Sequence, residues 1–280
     1  MPLIKQKFSN DEEGINLMTE WIISWFGNIE QYTITDRENI SSIFLAGAPG
    51  AGKSEFLETI LVDLRKDFIV IDIDRYRCMF EGYNGENASD FQKSSVRVAD
   101  KILKFCFHHH LNFIFDGTFR SYEKVKQNLE QCIHYKRKTM ATLIYQEPRI
   151  SFYYTFLRKL YKTRNVPVEV FIDGFYSSIE NIFRAKDEFE VFLFIASKTY
   201  QNIDKRKFTY KIHDEIQTLE NFCKKFRIWY TEWVFSNKGN LTIDIESFQN
   251  TLNANYRGNW WLISWIKLWY FKILNNHIWT

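Results

Sequence analysis

Apolar residues in this chain fall into short unbroken runs, separated by longer stretches in which they recur every three or four positions. The runs Ser42-Ile43-Phe44-Leu45-Ala46, Phe68 to Asp72, Asn112 to Phe115, Ala141 to Tyr145 and Phe192 to Ile195 have the length and make-up of buried strands. Between them, Glu55 to Arg65, Ala88 to His109 and Tyr122 to Tyr135 carry a helical period. Ile15 to Phe26 reads as an amphipathic leading helix, joined to the first strand by a polar connection, Gln31 to Ser41. Strands alternating with helices imply right-handed crossovers, so the pattern predicts an α/β fold: a mainly parallel sheet with helices on both faces. From about Asn202 the pattern changes. Ile212, Ile216, Leu219, Phe222, Phe226, Trp229 and Trp233 recur at helical spacing and require no strand. The expected division is a helical segment over 1–40, the α/β core over 41–200 and a helical C-terminal appendage over 201–280.

The first strand runs directly into Gly47-Ala48-Pro49-Gly50-Ala51-Gly52-Lys53-Ser54, which satisfies every fixed position of a phosphate-binding loop. Glycines permit backbone torsions that turn successive N–H groups toward one anion. In that arrangement Lys53 reaches the outer phosphates, Ser54 ligates Mg²⁺, and the helix that comes next adds the positive end of its dipole. The octet predicts binding of ATP or GTP with Mg²⁺. A relic loop without turnover is the plainer alternative.

Composition narrows the picture only slightly. With 280 residues and 18% aromatic side chains the chain can bury a full core. A net charge of +3 does not demand a nucleic-acid surface. Cys78, Cys106, Cys132 and Cys223 are scattered, which suggests neither zinc nor a disulfide framework, and a polar N-terminal stretch lacks the core of a signal peptide. A cytoplasmic location is expected. His108-His109-His110 cannot converge on one ion from adjacent helical positions and reads as a helix end. Trp260 to Leu274 is too short and carries too many lysines to span a membrane, which leaves burial or an interfacial helix.

Phosphoryl transfer needs a grip on the donor, a metal, a base for the acceptor hydroxyl and positive charge on the transferring group. Asp74, just past the second strand, is placed to be that base; its plainer role is a helix N-cap. Asp116 ends the third strand, where it can order the Mg²⁺ shell or touch the acceptor, and Thr118 and Arg120 come next at the same edge. Arg120 is matched to a polyphosphate but equally to an acidic neighbour. Arg158, Lys159 and Arg164 lie after the fourth strand, where cations on a mobile lid can neutralise the transition state.

Gly47 to Ser54, Val70-Ile71-Asp72-Ile73-Asp74 and Phe113-Ile114-Phe115-Asp116-Gly117-Thr118-Phe119-Arg120 together resemble the zeta toxin family, P-loop kinases that phosphorylate UDP-N-acetylglucosamine. The resemblance covers roughly residues 40–195. It implies Asp74 as catalytic base, Lys53 and Ser54 as the ATP and metal grip, and Asp100, Asp116, Thr118 and Arg120 on the acceptor side. Arg164 resembles the second lid arginine, and Arg158 or Lys159 the first. A toxin role and a protein antitoxin as partner are also implied. Position 116 is Asp where the family typically has Glu, and the chain beyond about 200 has no counterpart. Two competing readings stand beside this one. Asp74-Arg75-Tyr76-Arg77 also fits the Asp-x-x-Arg element of polynucleotide 5′-hydroxyl kinases, with Arg77 on the acceptor phosphate. The other is a non-catalytic ATP-binding interaction module.

Overall fold

The central apolar run, Ser41–Ala46, forms β1 and is buried from its second residue on. The other strands are β2 (Ile69–Asp72), β3 (Phe113–Asp116), β4 (Lys138–Tyr145), β5 (Phe192–Asn202) and β6 (Lys207–His213). They make one sheet in the order β2-β3-β1-β4-β5-β6. The pairs β1/β3, β2/β3, β1/β4 and β4/β5 are all parallel. This is a computed structural model; it describes residues 6–27, 40–61, 67–162, 166–202, 207–213 and 215–228.

Eight helices accompany these strands among the described residues: α1 (Glu12–Ser24), α2 (Lys53–Thr59), α3 (Ile73–Arg77), α4 (Gln92–His108), α5 (Tyr122–His134), α6 (Pro148–Lys162), α7 (Val168–Glu188) and α8 (Leu219–Phe226). Alternation along the strands decides which face each covers. Ile43, Leu45, Ile114, Ile144 and Ala196 pack with Phe56, Leu57 and Leu61 around α2. Phe44 points to the other face, where its ring meets Phe113 and Phe119. Phe107 of α4 packs edge-on against Phe113 there, and Tyr145 of β4 meets Phe175 of α7. The α/β architecture with helices on both faces is the expected one.

At the opposite edge from the phosphate loop, Arg137 is buried beneath the strand starts. Its Nη2 donates to the carbonyls of Ser41 (2.8 Å) and Leu111 (2.6 Å), and its Nε to Ser42 Oγ. The leading helix α1 is capped by Asp11, whose carboxylate accepts from the Gly14 N–H at 2.7 Å. Glu12 holds α1 to Arg97 and Lys101 of α4. The three histidines close α4: the His109 N–H caps onto the Phe105 carbonyl, and His110 takes a left-handed conformation at φ 53°.

Four local expectations need correction. The segment after 202 contains a strand, β6, where helical spacing had suggested none. Phe208, Tyr210 and Ile212 alternate with Thr209 and Lys211, and that period of two governs the stretch. Second, Asp72 rather than Asp74 caps a short helix, α3. Its carboxylate accepts from the Arg75 N–H at 3.1 Å. Third, α4 starts at Gln92, not Ala88, because Asn84 and Asn87 tie the preceding residues into a turn by reciprocal side-chain bonds of 3.1 Å. Fourth, α2 starts at Lys53 instead of Glu55, with Gly52 as its N-cap. The connection over 31–39, Arg164, Trp229, Trp233 and the aromatic segment Trp260 to Leu274 lie outside the described residues.

By contact the chain divides into two units, Met1–Lys198 with Tyr210–Phe226, and Thr199–Thr209 with Arg227–Thr280. The phosphate loop and the acids at the strand ends all belong to the first unit. Among the described residues no helix is long and apolar enough to cross a membrane, and the four cysteines are free.

Candidate active site

All three sheet-edge motifs meet at the carboxyl ends of β1, β2 and β3. The octet folds as a tight loop between β1 and α2. The Ala51 N–H closes a turn on the Ala48 carbonyl at 3.1 Å, and Lys53 Nζ reaches back to the carbonyls of Gly47 (2.9 Å) and Ala48 (3.3 Å). Gly50 sits at φ +78°, and a Cβ there would stand 2.2 Å from the Ser151 carbonyl oxygen of α6, so no other residue fits without moving that helix. Gly52, at φ +93°, forms the left-handed N-cap of α2. Ser54 stands in the first turn, exposed at the mouth of the loop. The α2 N-terminus adds free N–H groups and a partial positive charge at the same place.

Sheet register sets the acids. Asp72 and Asp116 are direct partners across the β2/β3 ladder, and Leu45, two residues before the loop, is the partner of Asp116 on β1. Burial pushes the Asp116 carboxyl up to about 7; Lys53 and Arg158 pull it down, while Asp72 and Asp74 push it further up. The Asp72 carboxyl is also raised, first by burial and then by the charge of Asp74. Three carboxylates, the loop lysine and Arg158 of α6 therefore share one electrostatic environment. Asp74 itself is half exposed, at 48%, in the first turn of α3, and Arg77 one turn on pairs with it at 3.3 Å. Arg77 is only 5% exposed and also donates to Gln92 of α4. Asp74 is thus oriented by a guanidinium that is itself anchored.

The turn after β3 carries the remaining candidates. Gly117 is half-buried, Thr118 is exposed, and Phe119 is buried at φ 56°, a conformation that a bulky residue adopts only when held. Asn181 of α7 holds it, its Nδ2 donating to the carbonyls of Phe119 (2.7 Å) and Arg120 (3.0 Å). Arg120 makes an ion pair with Asp173 of α7, so its acidic neighbour is a residue of that helix. Asp100 is likewise paired, with Lys124 of α5 at 2.7 Å. Both pairs are at least partly exposed, where such contacts contribute little and exchange readily for a ligand.

Sequence reasoning placed Asp72 at this edge without giving it a role, and did not find Gln92, Asp173 or Asn181. Asp72 was visible as a carboxylate two residues before Asp74. The other three belong to helices remote in sequence, and only packing brings them to the edge. Arg158 sits on α6, half-buried. Among the described residues no three His, Cys, Asp or Glu side chains form a metal cage. A hydroxyl at Ser54 and a crowded carboxylate at Asp116 nevertheless suit Mg²⁺, which binds through one or two protein oxygens and takes the rest of its shell from phosphate and water.

A mainly parallel sheet with a phosphate loop at β1, acids at the ends of β2 and β3 and a helical segment after β4 defines a P-loop kinase-like α/β protein. The family model for the zeta toxin matches residues 28–215, and the chain belongs to the zeta toxin family. In fold it is similar to a structure from the PezAT chromosomal toxin–antitoxin system of the human pathogen Streptococcus pneumoniae, at 18% identity and a TM-score of 0.52, covering 71% of this chain and 80% of that one. It is also similar to the AvrRxo1-ORF1:-ORF2 complex with ATP, at 13% identity and a TM-score of 0.51, covering 72% of this chain and 64% of that one. The same complex with sulphate ions matches at 12% identity and a TM-score of 0.52, over 72% of each chain. The chain thus spans just under two thirds of the ATP-bound AvrRxo1 chain. Among curated proteins none matches the sequence.

Proposed function

We propose that this protein is an ATP-dependent kinase that phosphorylates a hydroxyl of a sugar nucleotide such as UDP-N-acetylglucosamine, acts as a toxin and is restrained by a protein antitoxin. The observation that carries the reading is the shared electrostatic environment of Lys53, Asp74, Asp116 and Arg158 at one sheet edge. In the reaction the acceptor oxygen attacks the γ-phosphorus as its proton passes to the Asp74 carboxylate. The bond between the γ-phosphorus and the bridging oxygen breaks, and ADP leaves. The backbone of residues 47–54 and Lys53 hold the donor, and Arg158 neutralises charge on the transferring group. Arg164 is assigned the same task on the family pattern. Ser54 and Asp116 would hold Mg²⁺, which supplies charge neutralisation when bound. Asp100, Thr118 and Arg120 face the acceptor, with Arg120 and Asp100 exchanging their present partners for it.

Family membership, the ATP in the AvrRxo1 complex and the toxin–antitoxin setting of PezAT support the donor, the class and the partner. The polynucleotide kinase reading loses ground on one observation: Arg77, which would have to touch the acceptor phosphate, is buried between Asp74 and Gln92.

The decisive experiment incubates the protein with ATP, Mg²⁺ and a panel of sugar nucleotides, nucleosides and 5′-hydroxyl oligonucleotides, and reads an added phosphate by mass spectrometry. Transfer to a sugar nucleotide is expected, and transfer to the oligonucleotide alone would reject the assignment. Asp74→Asn should lower transfer by about 10²- to 10⁴-fold while sparing ATP binding, whereas Lys53→Ala should lose both. A variant at 74 that behaves as wild type would leave only a nucleotide-binding module.

A further inference from the structure

Lys198 lies within β5, one residue past Ser197, the partner of the last residue of β4, so it stands at the sheet's carboxyl edge on the far side of the phosphate loop from the three acids. The strand order puts β2 and β3 to one side of β1, and β4 and β5 to the other. Period-two alternation turns Lys198 to the same face as Ala196, the face that α2 covers. It is only 7% exposed. Its Cδ and Nζ both stand 2.8 Å from the point a Cβ on Gly52 would occupy, so the ammonium end itself, and not just the stem, abuts the N-cap of α2. Around it, Glu55 in the first turn of α2 attracts the charge and Arg158 of α6 repels it. The Tyr154 ring of α6 lies 6.0 Å from Nζ. Tyr210 of β6 donates to the Gly52 carbonyl at 2.8 Å and packs edge-on against Phe56, fixing the loop end that Lys198 touches.

A leucine or methionine would fill this space without the desolvation penalty of an ammonium. Arg158 repels the Lys198 ammonium and Glu55 offsets that repulsion; a polyanion on the loop would satisfy both cations at once. Such an anion has only one orientation on the loop. Its transferable end must face the acids on β2 and β3, so the remainder runs toward β5.

Resting on the kinase reading proposed for this site, we infer that Lys198 is a nucleotide-binding residue that grips the α- and β-phosphates of the donor, the portion that is not transferred. Its contribution is the same for ATP and ADP, because the phosphates it holds are common to both.

The test uses the full chain with Lys198→Met, which keeps the stem and removes the charge, and Lys198→Gln, which keeps a polar head. Affinities for ADP, ATP and adenosine are measured with Mg²⁺ present, beside thermal melting without nucleotide. The expected result is a loss of about tenfold or more for ADP and ATP in both variants, no change for adenosine, and an unchanged or higher melting temperature. Unaltered ADP affinity in either folded variant would overturn the inference and reduce Lys198 to packing. An equal loss for adenosine would move the contact to the nucleoside and overturn it as well. If wild-type protein bound no ADP at all, the kinase reading and the inference would fall together, a result distinct from the other two.

Discussion

Asp116 shows what a reactive edge costs at the level of one side chain. Its pKa is raised from the ordinary 3.8 to about 7, first by burial. The folded protein therefore holds this proton more tightly than the unfolded chain does. The favourable contribution is complete below 3.8 and is lost as pH rises through about 7. Asp116→Asn removes the ionisation and is expected to raise stability at pH 7.5 by on the order of 2 kcal/mol, with little effect at pH 4, while transfer falls. Urea unfolding at the two pH values measures it, and equal effects at both would contradict the assigned cause. The place of single residues was legible in the sequence where a motif fixes local geometry: Lys53 and Ser54 open α2 at the end of the phosphate loop. Pairing was not: nothing in the order of residues announces that Asp100 meets Lys124 or that Arg120 meets Asp173.

Between elements, α7 acts as the brace of the site. Gly174 faces Pro49 of the loop, where an added Cβ would stand in ordinary contact, 3.4 Å from Pro49 Cδ, and Asn181 fixes the turn over 119–120. Asn181→Ala leaves two carbonyls without their donor and should cost about 1–2 kcal/mol of stability. It should also raise the acceptor KM while leaving ATP affinity in place, as steady-state kinetics with each substrate varied would show. An equal effect on both substrates would mean that α7 supports the whole edge and not the turn alone. Length did not decide which elements were readable: α7, the longest of the described helices at 21 residues, was not among those expected, although Phe171, Phe175, Ile179 and Ile182 recur at helical spacing. The five strands of the core carry unbroken apolar runs. In contrast, α3 has five residues, too few to display a period, and β6 was hidden because Ile212 and Ile216 also satisfy helical spacing.

Over the molecule as a whole, the sheet order was foreseeable in kind but not in extent. Strands separated by helices allow little besides a parallel sheet, and the phosphate loop locates the functional edge of such a sheet. The pattern does not say which two acids will face each other, because register emerges only when the strands pair. Here it places Asp72 and Asp116 on one rung. Around neutrality the nucleotide-free protein consequently retains part of a hydron at Asp116, and Mg²⁺ bound there as proposed would displace it. Calorimetric titration with Mg²⁺ and ADP at pH 7 should accordingly give heats that scale with the ionisation enthalpy of the buffer, in the sense of release to solvent. In Asp116→Asn most of that dependence should vanish.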